Sequence, residues 1–430
     1  MIMELILEKL LKANYEAYII GGAVRDYLLN KKPTDIDIVT NATPTVLRVI
    51  FDGHKIDTVG NNFLVTIIDG IEVATYRNER YQTASKPMVV PARTLYDDVK
   101  RRDLTINALA LDPITHDIID YFNGRSDLEN GIIKFIGNPH ERIAEDPVRI
   151  IRACRFLAVV NGTFEANTKN ALIKYAIHIP QLPKERIRLE ILKAMKIRRA
   201  SLFFNALHDI GALKYIFPDL EKGINLDGGP YHNETVFMHN MLAGDTIATR
   251  CPITKLTGYL HDIGKGLTVS DEKGYNTFYK HDKIGADSAK KQLQELKFTN
   301  KEVDFVYKMI NLHMYSIGGN KSIRKFLNSN RLYVESFLRI KLADDKANLK
   351  KNKALSFYKD FIRRIDEQTL IPELPFGVKD LKVNGNDVME QLNIKPGPEV
   401  GKVLNDLLMQ VLDDPNLNKK ETLTDLIKEV

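Results

Sequence analysis

The pattern Tyr18–Ile20, Gly21-Gly22, Asp35-Ile36-Asp37, Ile38-Val39 constrains this chain more tightly than any other stretch of it. A glycine pair directly after an apolar run lets backbone N–H groups approach a phosphate closely. An Asp-x-Asp triplet on an apolar strand points both carboxylates the same way, because strand side chains alternate with period two. Two carboxylates facing one way can hold a pair of Mg²⁺ ions roughly 3.5–4 Å apart, which activates an attacking oxygen and stabilises a leaving phosphate. Asp35 and Asp37 therefore read as metal ligands of a nucleotidyl-transfer site.

Residues 1–140 alternate short helical and β-like segments, with strands expected at Tyr18–Ile20, Ile36–Val39, Phe63–Ile68, Ile71–Thr75 and Ala108–Leu111. From about residue 141 the pattern is helical almost to the end. The Asp227-Gly228-Gly229-Pro230 cluster and the Ile371-Pro372-Glu373-Leu374-Pro375 run are the best internal breaks. At 430 residues the chain has room for two to four domains. We divide it into a head over 1–140, a neck over 141–226, a body over 227–350 and a tail over 351–430. The fold class is α+β, an α/β head followed by helical domains.

Residues 141–200 carry 13 Lys/Arg against 6 Asp/Glu, so this segment alone is +7 in a chain of net charge +6. Such a stretch suits a phosphate-rich partner. The amino-terminal run Met1–Lys9 has acidic residues where a signal peptide is apolar, and no apolar stretch is long enough to span a bilayer. The expected location is cytoplasmic, with no membrane partner. Cys154 and Cys251 have neither a pairing nor a metal-site spacing.

Further polar groups follow in order. Glu72, in Ile71-Glu72-Val73, stands where a third metal-facing carboxylate on a neighbouring strand would stand; an exposed acid on an edge strand fits the same pattern. Arg101-Arg102-Asp103-Leu104-Thr105-Ile106-Asn107-Ala108 supplies cations for a triphosphate and polar groups for ribose hydroxyls. Asp120–Leu128 reads as a turn closing the head. In Glu145-Asp146-Pro147-Val148-Arg149, with Arg152 and Arg155 at further steps of three, the arginines form a helical ridge drifting about 60° per step. Asp146 before Pro147 predicts a helix N-cap, which uses one carboxylate oxygen and leaves the other free. An Asp acceptor beside an Arg donor also complements the amino group and ring nitrogen shared by cytosine and adenine. Uracil and guanine present the opposite polarity and would leave buried groups unpaired.

These runs resemble the DNA polymerase β nucleotidyltransferase superfamily and, within it, the class II tRNA nucleotidyltransferases of bacterial type, the CCA-adding enzymes. Five motifs fall in the family's order: Gly21–Val39, Arg101–Ala108, Asp120–Leu128, Glu145–Arg149 and Pro183-Lys184-Glu185-Arg186-Ile187. The resemblance implies Mg²⁺ on Asp35 and Asp37, and contacts to phosphates and sugar from Gly22, Arg25 and Arg102. It implies Asp103 and Asn107 near the ribose, and Asp146 and Arg149 reading the base with support from Arg152 and Arg155. Leu104 stands where phenylalanine is usual, and Asn123 replaces a glycine of the closing motif.

A second constellation runs His239, His261-Asp262-Ile263-Gly264-Lys265, Asp344, with His281 and His313 between. Imidazole plus carboxylate suits a divalent transition metal. The order resembles the HD phosphohydrolase superfamily over roughly 230–350, which implies a metal on His239, His261, Asp262 and Asp344 and a possible hydrolase activity. The architecture expected is thus a polymerase β-like head followed by an all-helical neck, an HD-type body and a tRNA-binding tail. In the tail, Pro396-Gly397-Pro398 opens a helix whose N–H groups suit an RNA phosphate; a plain helix start without function fits the same pattern.

The function expected is template-independent addition of CMP, CMP and AMP to the 3′ end of tRNA from CTP and ATP, with release of pyrophosphate. The tRNA would be held by its acceptor end and elbow, largely through shape and backbone. The rivals are a poly(A) polymerase, a partial enzyme adding only CC or only A, an HD phosphohydrolase with a decayed head, and a non-catalytic tRNA-binding protein. Tyr76–Asp98, long enough for the family's flexible loop, favours the complete reaction.

Overall fold

A computed structural model describes residues 2–33, 36–58, 64–83, 86–316, 318–350, 355–371, 374–375 and 377–429. Asp35, Phe63, Pro372 and Glu373 lie outside the described residues. The chain forms two compact units, Met1–Glu221 with Gln292–Phe298, and Lys222–Lys291 with Thr299–Val430. No described helix is long and apolar enough to cross a membrane.

The first unit opens with α1 (Ile2–Lys12), β1 (Ala17–Ile20), α2 (Gly22–Leu28), β2 (Asp37–Thr40) and α3 (Pro44–Ile50). Next come β3 (Ile56–Thr58), β4 (Val65–Ile68), β5 (Ile71–Thr75), β6 (Arg77–Thr83), β7 (Lys86–Pro91), α4 (Leu95–Lys100), β8 (Ala110–Leu111) and β9 (Ile118–Ile119). One seven-stranded sheet has the order β3-β4-β5-β2-β1-β8-β9. Two cores sandwich it. Ile38, Ile68 and Val73 bury one face with Ile6, Leu7 and Leu10 of α1, while Ile20, Val39 and Ala110 bury the other with Leu95 and Val99 of α4. Period-two alternation then sets Asp37 on the side of Val39 and Glu72 on the side of Ala74, above the second core.

β6 and β7 pair as an antiparallel hairpin. The Tyr76–Asp98 segment expected as one long loop is thus a β-ribbon leading into α4. Its polar residues hid the strand pattern, and among the described residues the ribbon joins no larger sheet.

The closing turn of the head leads into α5 (Gly124–Glu129). Asp120 accepts hydrogen bonds from the N–H groups of Phe122, Gly124 and Arg125. Asn123 has φ +58°, a left-handed conformation that asparagine tolerates where glycine is usual. Gly124 packs so closely on Thr105 that a Cβ would lie 2.2 Å from its carbonyl oxygen. After β10 (Ile132–Ile133) the helices α6 (Pro139–Glu145) and α7 (Arg149–Val160), strand β11 (Thr163–Phe164), and helices α8 (Ala166–Tyr175) and α9 (Lys184–Ala194) complete what positions the site.

In the second unit, helices Val236–Thr246, Pro252–Leu260, Asn300–Leu312 and Val334–Ala347 carry or end beside the His/Asp residues of interest. Ala243, Ile247, Met309, Phe337, Ile340 and Ala343 form one core there. Leu381, Val388, Val400, Leu407, Leu412, Leu423 and Ile427 form another, within the tail.

Candidate active site

A cavity of about 760 Å³ in the first unit is lined by Gly21, Gly22, Arg25, Asp37, Glu72, Arg102, Asp103, Asn107, Asp146, Arg149, Arg152 and Arg155. Every site residue expected in this region of the chain lines it, apart from Asp35. Asp37 and Glu72 are register partners on the parallel strands β2 and β5, so two carboxylates stand side by side at one edge of the cavity. Gly21 follows β1 with φ +72°, a left-handed conformation that favours glycine, and a Cβ there would lie 2.8 Å from Arg102 Nη1.

Behind the carboxylates runs a chain of buried polar groups. Arg25 Nη1 donates to Asn107 Oδ1 at 2.8 Å, and Asn107 Nδ2 donates to Asp103 Oδ1 at 3.1 Å. Asp103 also accepts from the Leu104 N–H at 2.9 Å and from Arg152 Nε at 2.8 Å. Burial alone would raise the Asp103 pKa, but the Arg152 charge and these three donors hold it below the usual carboxylate range. Glu190 of α9 is a second buried acceptor for the same arginine ridge: it takes a hydrogen bond from Arg155 Nε at 2.5 Å, with Arg152 Nη1 at 3.6 Å. The Phe156 ring lies under three guanidinium groups, of Arg25, Arg152 and Arg155, at 5.1, 5.4 and 4.0 Å from its centroid.

The base-reading motif differs from its sequence expectation in two ways. The helix starts at Arg149 rather than Pro147, and Asp146 is the residue closing α6. Asp146 Oδ1 does accept the Val148 N–H at 3.3 Å, yet its other oxygen is not left free. Arg186 of α9 forks the carboxylate, Nη1 to Oδ1 at 2.9 Å and Nη2 to Oδ2 at 2.6 Å. Arg149 pairs with Glu145 at 2.6 Å, donates to the Arg142 carbonyl at 2.9 Å, and lies with its guanidinium carbon 5.9 Å from the Tyr81 ring centroid. Glu145 ends α6 and Arg149 starts α7, and the extended backbone at Asp146 between them sets the two side chains together across the turn. Asp146 turns to α9 instead.

Sequence reasoning missed Arg186, Glu190, Phe156 and the ribbon residues Glu79 and Tyr81. Glu79 pairs with Arg101 at 2.6 Å and accepts from Tyr81 Oη at 2.6 Å. Arg186 lay inside a motif already singled out, so its signal was present but its partner was not.

In the second unit His239, His261, Asp262 and Asp344 do come together. His239 Nε2 lies 3.0 Å from Asp344 Oδ1 and 3.8 Å from Asp262 Oδ2, and His261 Nε2 lies 3.6 Å from Asp262 Oδ2 and 3.7 Å from Asp344 Oδ1. His261 and His313 follow the last turns of their helices, and each donates Nδ1–H to the carbonyl three residues back, Gly258 and Ile310. The described residues thus include buried His/Asp groups able to hold a metal ion. Lys265 Nζ lies 2.7 Å from Asp262 Oδ2.

Comparison with known proteins places this geometry in a family. Residues 17–134 match the Poly A polymerase head domain, 163–224 the RNA and SrmB-binding site of polymerase A, and 270–427 tRNA nucleotidyltransferase domain 2. A CCA-adding enzyme of Staphylococcus saprophyticus is 30% identical over 431 aligned positions, 98% of this chain and 96% of that protein. The chain belongs to the CCA-adding enzymes. A further CCA-adding enzyme, from Limosilactobacillus reuteri, is 40% identical over 195 residues, 44% of this chain and 48% of that one. The Bacillus stearothermophilus CCA-adding enzyme in complex with CTP shares the fold, with a TM-score of 0.72 at 24% identity over 99% of this chain and 95% of that chain. The Thermotoga maritima CCA-adding enzyme complexed with tRNA_CCA does so with a TM-score of 0.55 at 20% identity, over 99% and 94%. As a CCA-adding enzyme the chain is a nucleotidyltransferase with a polymerase-type head, and its likeness to the family runs the length of the molecule rather than ending with the head.

Proposed function

We propose that this chain adds CMP, CMP and AMP to the 3′ end of tRNA in the cytoplasm, taking CTP and ATP and releasing pyrophosphate. The observation that supports this most is a single cavity bounded at one place by Asp37 and Glu72 and at another by Asp146, Arg149 and Arg186. Asp35 and Asp37 are the residues to hold Mg²⁺, with Glu72 beside Asp37; the metal would supply positive charge to the reacting phosphate and its attacking oxygen. Arg25 and Arg102 take the triphosphate around the Gly21-Gly22 turn. Asp103 and Asn107, fixed by Arg25 and Arg152, meet the ribose. Asp146 accepts from the amino group of cytosine or adenine while Arg149 donates to the ring nitrogen. In this reading Arg152 and Arg155 act by locking Asp103 and Glu190, and Arg186 acts by holding Asp146.

The division into head, neck, body and tail remains our reading of the chain, with the tail over 351–430 meeting the tRNA elbow. In the body, His239, His261, Asp262 and Asp344 hold a divalent transition metal, and a phosphohydrolase activity would belong to that site. The supporting observation is that four residues spread over more than a hundred positions converge within ion-pair distance.

The head assignment is tested by Asp37→Ala. Incorporation of both CMP and AMP should be lost while tRNA still binds, because what disappears is charge stabilisation of the transition state. Near-normal turnover in that variant would remove the assignment.

A further inference from the structure

We propose that Arg324 is a positioning residue for tRNA: it locks the closing end of the tail helix Pro398–Asp413 to the body and so sets the direction in which the tail presents itself to the RNA. This deepens the reading of the tail over 351–430 as the part that meets the tRNA elbow, and rests on it.

The helix Asn320–Asn330 has two faces with different tasks. At about 100° per residue, Ile323, Phe326 and Leu327 share one side, where they are buried in the body core with Phe337 and Ile340. Lys321, Arg324 and Lys325 share the other side and meet the end of Pro398–Asp413.

That end has carbonyls to satisfy, because the last C=O groups of a helix have no N–H four residues on. If the helix continued, Asn416 and Leu417 would donate to Leu412 and Asp413. Their N–H groups turn to Asp414 instead, Asn416 to Oδ1 and Leu417 to the carbonyl oxygen, each at 3.1 Å. Arg324 supplies the missing donors. Its Nε donates to the Leu412 carbonyl at 2.7 Å and its Nη2 to the Asp413 carbonyl at 2.6 Å. Nη1 donates to Oε1 of Gln368 at 2.9 Å, and Arg324 and Gln368 are both buried. A cation at a helix C-terminus also meets the negative end of its dipole. Lys321 and Lys325 close on the Asp413 carboxylate at 2.5 and 2.8 Å.

The tail core, with Val403, Leu407, Val411 and Leu412, is a cluster separate from the body core, and Arg324 reaches from the helix that walls one to the helix that builds the other. The lock therefore fixes an angle. A helix of 16 residues is about 24 Å long, so a swing of about 10° at its closing end carries its opening end through about 4 Å. That exceeds the length of a hydrogen bond, enough to break contacts to an RNA backbone. Arg324→Lys would keep the charge and lose the fork that spans two carbonyls and an amide.

The test compares two substrates on the full chain: tRNA lacking its 3′ end, and a hairpin of the acceptor stem alone, which has no elbow. The wild type should show the lower KM for tRNA. Arg324→Met should raise KM for tRNA by about tenfold while leaving kcat, KM for CTP and KM for the hairpin unchanged, with Arg324→Lys between the two. Asp413→Asn, a change at a partly exposed carboxylate, should act in the same direction and decides the matter if Arg324→Met fails to fold by circular dichroism. A wild type that does not distinguish tRNA from hairpin would overturn the tail reading and the lock with it. A wild type that does, joined to a folded Arg324→Met that distinguishes them equally well, would overturn the lock alone. Equal losses on both substrates, or a fall in kcat, would make Arg324 a general structural contact and overturn its positioning role.

Discussion

Asp98, Asp103 and Glu190 are carboxylates with almost no access to water, and each is held ionised by arginine. The cost of burying such a charge is offset only while its donors stay in place. Asp103 shows the consequence. Its folded pKa lies below the ordinary 3.8, with burial opposing and Arg152, Asn107 and the Leu104 N–H prevailing. A depressed carboxylate contributes stability that is fully present above its unfolded pKa and is lost as pH falls through the folded one. The chain should therefore lose stability as pH drops from about 5 towards 2, and Asp103→Asn should flatten that slope while lowering stability at pH 7. Urea midpoints measured across this range check it. A mutant with an unchanged acid slope would show that Asp103 titrates normally. Among the residues of this network, Arg25, Asp103, Asn107 and Arg152 were legible in the sequence because they sit in motifs with ordered spacing. Glu190 was not: a glutamate in a charged helix reads as solvated until α9 is seen packed on α7 with that side chain turned inward.

Helices carry the comparison further. α6, α7 and α9 bring together residues 40 positions apart, and the outcome is that Asp146 is clamped by Arg186 rather than capping a helix alone. The clamp orients an acceptor without neutralising its lone pairs, since each carboxylate oxygen can accept more than one hydrogen bond. Arg186→Ala should leave Asp146 free to turn, lowering kcat/KM for CTP and ATP by roughly 10–100-fold and weakening discrimination against UTP and GTP. Arg186→Lys, which keeps the charge but loses the fork, should recover some of the rate and less of the selectivity. Competition assays with mixed nucleotides give both numbers. An Arg186→Ala variant with wild-type selectivity would make the clamp a structural contact only. The strands β1, β2, β5 and β8 were visible in the sequence as apolar runs, within a residue or two. The β6–β7 ribbon was not, because β6 runs Arg77-Asn78-Glu79-Arg80 with no apolar face to reveal the period and β7 is bounded by prolines.

Across the whole molecule, two separate polar centres lie in two separate units. The cavity proposed for nucleotide addition lies in the first, and the His/Asp cluster lies in the second. Mutations in residues that share no partner should act independently. His261→Ala should thus abolish transition-metal binding at its own ligands while leaving CMP and AMP incorporation within about twofold, read from parallel metal analysis and primer extension on tRNA. Loss of nucleotide addition together with the metal would couple the two centres. The sequence singled out His239, His261, Asp262 and Asp344 through the His-Asp pair, whereas His281 and His313 stood in it only as histidines lying between, and the structure sets their Nε2 atoms on the second oxygen of Asp262.

The central claim is that protein side chains, not a template, choose cytosine and adenine over uracil and guanine at the cavity bounded by Asp37 and Asp146. It is tested most directly by incubating the chain and its Asp146→Ala variant with tRNA lacking its 3′ end, offering CTP, ATP, UTP and GTP singly and together, and sequencing the products. The account predicts that the wild type adds C, C and A in that order and excludes UTP and GTP by about 10⁴-fold or more, and that the folded variant is slower and admits the wrong bases. A wild type that extends tRNA with a run of A, or an Asp146→Ala variant that excludes UTP and GTP as well as the wild type does, would contradict it.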